Sequence, residues 1–260
     1  MNSFPSQARR IRGVLAFAAY IALAWFGWLM WRITAQYWPI RYDAAFLQIK
    51  QDYIDITHWR ISFFVHVFTS LLALAAGFTQ FAPSLLRRWP PVHRWMGRLY
   101  VLDVCLVTGP ASLIMAFYAN GGITSRLAFS ILATLWITTT ALAYRTALRR
   151  QWSEHRAWMI RSYALTLSAI TLRAWKVLII AAVHPAPMDA YRIVAWLGFV
   201  PNLLIAEWWV RRRSVRSENL TRSRGVCGEG EELGVTSLSL NTGSLLPLQP
   251  PIPHRRKHGA

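Results

Sequence analysis

Six stretches of this chain stay apolar for about the twenty residues that a helix needs to cross a hydrocarbon layer. They fall at roughly 13–31, 61–82, 97–119, 124–146, 158–182 and 191–209. The polar clusters between them alternate in kind. The segment before residue 13, the loops 83–98 and 145–157, and the segment after Trp209 are dense in arginine. The turn 120–126 holds only Arg126, and the loop 183–192 only Arg192 beside Asp189. The longer loop 32–60 mixes Arg32, Arg41, Lys50 and Arg60 with Asp43, Asp52 and Asp55. Arginine-rich loops stay on the cytoplasmic side, so this alternation predicts an all-α bundle of six transmembrane helices with both termini cytoplasmic. Within the 32–60 loop, Phe46, Leu47, Tyr53 and Ile54 are spaced to share one face of a short surface helix.

The first apolar stretch follows Arg9, Arg10 and Arg12 and is longer than the core of a signal peptide, so it reads as an uncleaved signal anchor. Residues 1–60 are then an anchor helix with an extracytoplasmic loop, and 61–210 a membrane core of five helices. Residues 211–260, with Pro247, Pro250, Pro251 and Pro253 and the basic end His254-Arg255-Arg256-Lys257, read as a disordered cytoplasmic tail.

Composition agrees. The chain of 260 residues is 54% hydrophobic and 15% charged, with mean hydropathy +0.27, too apolar for an ordinary soluble domain. Its 14 tryptophans suit interfacial belts. The net charge of +18 lies between apolar runs and not on one polar domain, which favours a bilayer partner over nucleic acid. Cys105 and Cys227 form no CxxC, and no nucleotide-binding or hydrolase motif is present.

One pattern occurs twice. Arg87-Arg88, four residues, then His93-Arg94 leads to Arg98 and Tyr100; Arg149-Arg150, four residues, then His155-Arg156 leads to Arg161 and Tyr163. Hairpin order makes helices 2–3 and 4–5 parallel repeats, related by an axis along the membrane normal. They would form a four-helix core, with helices 1 and 6 peripheral and His93 facing His155 at the cytoplasmic end. A facing imidazole pair suits the axial positions of one haem b iron. Gly97 would admit the flat macrocycle, and Arg94, Arg98, Arg156 and Arg161 would pair with its propionates. Zinc is the lesser option, because only Glu154 offers a third ligand. Electron transfer, with a quinone or a redox partner, would follow.

A second polar group lies deeper. His66 and Arg173 fall inside apolar stretches, where a polar side chain is costly and marks a site or a pair. They support an alternative to redox chemistry: a transporter or accessory protein in which His66 and Arg173 line a polar intramembrane cavity and the arginines hold anionic lipid or substrate. Lys176 is placed to snorkel to the interface. Asp103 lies two turns into helix 3, and Glu207 and Arg211 are spaced as an i,i+4 pair. Pro110 and Pro201 are the expected helix breakers.

The segments HVFTSLLALAAGFTQF, HRWMGRLYVL, TTTALAYR, HRAWMIRSYALTLSAITLR and PNLLIAEW together resemble a bacterial multi-pass membrane family known as domain of unknown function 2306. The resemblance runs from about Phe64 to Trp209. It implies a multi-pass protein of the inner membrane and carries over no activity. A weaker likeness to b-561-type transmembrane cytochromes rests on six helices and on His93 and His155 preceding helices 3 and 5. It implies haem, and the absence of a histidine from helix 4 limits that to one.

Overall fold

A computed structural model describes residues 4–81 and 83–215, and every regular element among them is helical. Met1–Val210 forms one compact unit; of the second, Arg211–Ala260, only the helical residues 211–215 are described. Residues 211–215 of the expected disordered tail thus continue the last helix; the rest of it and Cys227 lie outside the described residues. Six helical stretches are long and apolar enough to span a membrane: Gly13–Ala35, Thr57–Gly77, Pro90–Ala116, Ile123–Leu148, Trp152–Val183 and Pro187–Val215. Helices suit that setting because each satisfies its own backbone groups where no water can.

The first span belongs to α1 (Phe4–Ala35). A short 3-10 turn (Ala45–Ile49) and α2 (Gln51–Ile54) lead to α3 (Thr57–Gln80), the second span. The expected surface helix is thus two short turns. Their apolar face is buried on the bundle, with Leu47 and Ile54 packed among Tyr37, Trp59 and Phe63. After α4 (Pro83–Arg88), the third span runs through α5 (Pro90–Leu102), a π-helical turn (Asp103–Thr108) and α6 (Gly109–Ala116). Gly121 and Gly122 then reverse the chain at φ +84° and +77°, which suits residues without a Cβ. The fourth span is α7 (Ile123–Leu148), and the fifth joins α8 (Trp152–Thr166) to α9 (Ser168–Val183). The sixth has α10 (Pro187–Leu197), a turn at 198–199, and α11 from residue 200.

Both expected breakers act. Pro110 has no N–H and its ring crowds the carbonyl four residues back, so the helix widens ahead of it. Pro201 sits in the first turn of α11, where a missing N–H costs nothing, just after the turn at 198–199.

The core is built from Tyr100, Trp136, Tyr163 and Leu165, with Ala195 and Phe199 from the sixth span. The sixth span is therefore not peripheral, as its place outside the repeat had suggested. Its small residues let it in: Gly198 has Leu172 so close that a Cβ would lie 2.9 Å from it. The first span is peripheral, with only 6% of its apolar window buried. It packs through Met30 against Leu74 and Ile170.

A hydroxyl cluster ties the middle of the bundle together. The Tyr100 hydroxyl lies 2.7 Å from both Ser162 and Thr166, and the Trp136 indole N–H donates to Thr166 at 3.0 Å. Thr140 joins through Ser162 at 2.6 Å. These groups satisfy one another across three spans, which is how polar side chains persist inside a membrane bundle.

Candidate functional site

The two His-Arg motifs arrive at one end of the bundle. His93 and His155 lie close enough for their charges to interact. Their settings differ. The His155 Nδ1–H donates to the Ala143 carbonyl at 2.8 Å, which leaves Nε2 with its lone pair. The buried Nδ1 of His93 has no hydrogen-bond partner. Gln80 sits beside it and donates to the His93 carbonyl at 3.1 Å. The motif continues alike in both copies: Arg98 lies over Trp95 at 5.8 Å, and Arg161 over Trp158 at 4.7 Å.

The surroundings do not fit a haem. A Cβ added at Gly97 would meet Gln80 Oε1 at 3.2 Å, so a side chain fills the face expected to admit a macrocycle. Arg161, expected on a propionate, is committed to Glu207 at 2.7 Å. The Glu207 carboxylate thus reaches across to the fifth span, where an arginine under Trp158 points at it. Arg94 and Arg98, with Pro91 and Trp95, line a cavity of 170 Å³ that neither histidine borders. Arg156 is exposed. For zinc, the lesser option, the described residues contain no cluster of three His, Cys, Asp or Glu.

At the opposite end, the residues expected inside the membrane share one cavity. It has a volume of 470 Å³, and both His66 and Arg173 line it. Lys176 and Lys50 join them, with Tyr37, Tyr118 and Tyr191 around an apolar wall that includes Phe63, Leu71 and Leu74. Among the described residues no carboxylate lines it. The Arg173 guanidinium donates through Nη1 to the Ala169 carbonyl at 2.6 Å, and among the described residues no acid pairs with it. The Ser112 hydroxyl donates to the Thr108 carbonyl at 2.7 Å and lies 2.8 Å from His66 Nδ1. Ser112 has one proton, so the His66 Nδ1–H donates to Ser112 and its Nε2 keeps a lone pair.

Lys50 is the site residue the sequence reading missed, because in a mixed-charge loop it looks like an ordinary solvated lysine. Its flanks, Leu47 and Ile49, were the available signal. The loop folds back and leaves Lys50 only 2% exposed, its ammonium donating to the Tyr118 carbonyl and lying 4.6 Å from the Tyr53 ring centroid. It pins the 32–56 loop to the turn between the third and fourth spans. Burial lowers its pKa to about 8; Arg126 adds to the shift and Asp52 opposes it. Between that value and the ordinary 10.5, the unfolded chain holds a proton that the folded chain has lost. Stability therefore rises with pH across this window, and below it the cost of the buried charge is constant. Thermal unfolding followed against pH should show this rise in the wild type and lose it in Lys50→Met.

One comparison with known proteins gives a match. The family model described as a predicted membrane protein, DUF2306, matches residues 63–210. The chain belongs to this family. It is an integral multi-pass membrane protein, and the family segment takes in the hydroxyl cluster, both His-Arg motifs, His66 and Arg173. The curated proteins contain no match, and neither do the solved structures.

Proposed function

We propose that this protein binds an amphipathic anion in the cavity beside His66 and Arg173, as a carrier or as an accessory to a membrane complex. One observation carries the reading: an apolar wall combined with Arg173, Lys176, Lys50 and His66, and no carboxylate among the described residues that line it. The volume of 470 Å³ lies within the ordinary range of small-molecule sites. An apolar tail gains by leaving water for Phe63, Leu71 and Leu74. A carboxylate, phosphate or sulfonate head takes the unused donors of Arg173, and such charge-assisted bonds are strong where water is scarce.

The arginine-dense loops support a cytoplasmic His-Arg end in the inner membrane, with the cavity toward the outer leaflet. The matched Trp–Arg stacks support spans 2–3 and 4–5 as parallel repeats, with the sixth span packed into the same core. The repeat would then be scaffold, and the cavity, which breaks its symmetry, the site.

A matched pair of probes tests the reading. Decanesulfonate, whose charge does not titrate, should bind the detergent-purified protein more tightly than decanol. Arg173→Gln should weaken decanesulfonate by about tenfold to a hundredfold, the worth of one charge-assisted contact, and leave decanol unchanged. Equal binding of both probes to the wild type would refute an anion site.

A further inference from the structure

One buried acid lies outside the cavity and pairs with no cation. Asp103 is 6% exposed, and its Oδ2 has no hydrogen-bond partner. The Thr108 hydroxyl meets its Oδ1, and Thr69 from α3 meets Thr108 in turn. The π-turn makes this possible. In an α-helix, residues five apart point about 140° apart; in a π-turn, residue i+5 returns beneath residue i. The turn is set by Pro110 and by Gly109, where a Cβ would lie 2.1 Å from the Val104 carbonyl oxygen.

We propose that Asp103 is a reversible proton-binding site linked to occupancy of the cavity. A proton from water adds to one carboxylate oxygen, forming an O–H bond, and no other bond changes. The same heavy atoms serve both states. With the carboxylate ionised, Thr69 donates to Thr108 and Thr108 donates to Asp103. With the acid neutral, Asp103 donates to Thr108, Thr108 to Thr69, and Thr69 to the Val65 carbonyl 2.7 Å away. Two hydroxyl rotations interconvert them, and the unpartnered Oδ2 is tolerated best as the carbonyl oxygen of the neutral acid.

The link to the cavity is short. Thr108 offers its side chain to Asp103 and its carbonyl to Ser112, which holds His66 on the cavity wall. The groups facing the carboxyl are Thr108 from its own segment and Thr69 and the Ala73 backbone from α3. Among the described residues no charged side chain acts on it, from these elements or from α7, which also packs on the π-turn. The nearest titratable group along the chain of contacts is His66. An anion in the cavity and an ionised Asp103 repel across a poorly screened interior, so anion and proton bind together.

Two readouts test this on the full chain in nanodiscs. The first needs no ligand: infrared spectra across a pH series should show a carboxylic-acid C=O band that titrates, is absent in Asp103→Asn, and shifts in Thr108→Val. No difference between the wild type and both variants would overturn the proposal. The second rests on the proposed function. Decanesulfonate should draw protons from a weakly buffered solution onto the wild type and none onto Asp103→Asn, which still binds the probe. Equal uptake by the two would overturn the linkage. Failure of the wild type to bind decanesulfonate would sink the anion reading and the linkage, while the infrared band would still decide whether Asp103 takes a proton.

Discussion

Gly77→Ala should lower the midpoint of thermal unfolding sharply, although alanine is the better helix former by about 1 kcal/mol. A Cβ at Gly77 would fall 1.7 Å from Tyr163 Cε2 and 2.2 Å from its Cζ. The ring has little room to retreat. It is 7% exposed, its hydroxyl donates to the Leu74 carbonyl at 3.3 Å, and Phe81 lies 5.0 Å from its centroid. Overpacking of this kind costs about 1–3 kcal/mol, and a contact this close belongs at the upper end. Gly13 is the control, because nothing lies within 4 Å of a Cβ placed there. Near-UV circular dichroism melting in one detergent should show Gly77→Ala well below the wild type and Gly13→Ala at or above it. Melting of Gly77→Ala at the wild-type temperature would mean that α3 and α8 are not this close.

The second large effect is expected at Arg161 and Glu207. Nε and Nη2 of Arg161 donate to the same carboxylate oxygen at 2.8 and 2.7 Å, tying the fifth span to the sixth. The side chains are 19% and 33% exposed. Breaking a fully buried pair from one side costs about 3–5 kcal/mol; water at Glu207 reduces this to about 2 kcal/mol. Arg161→Ala also removes the stack on Trp158. The double variant should be more stable than the two single losses predict by about 1–2 kcal/mol, as contacting residues couple. Strict additivity would show that the pair contributes nothing in the membrane.

These two sites illustrate what the sequence could and could not convey. Span positions were legible because about twenty apolar residues bounded by arginine have few other uses. Pro110 and Pro201 marked real breaks because proline acts through its own ring and missing N–H. The tie between Glu207 and Arg161 was not legible, because the two lie 46 residues apart and no local pattern joins them. Gly97 is a similar case: a glycine announces close approach without saying what approaches, and here Gln80 lies against it. His66 and Arg173 were legible as costly intramembrane groups. Their shared cavity, and Lys50 at its edge, depend on how the 32–56 loop folds back, which apolar spacing alone does not fix.

The central claim is that the ligand-binding region is the cavity beside Arg173 and not the His-Arg end. Photolabelling with a diazirine-bearing alkyl sulfonate, followed by peptide mapping, tests it most directly. The account predicts adducts on the cavity-lining segments of α3 and α9, between His66 and Leu74 and between Ser168 and Lys176, with excess decanesulfonate suppressing them. Competed adducts confined to residues 91–98 and 155–161, with none on α3 or α9, would contradict it.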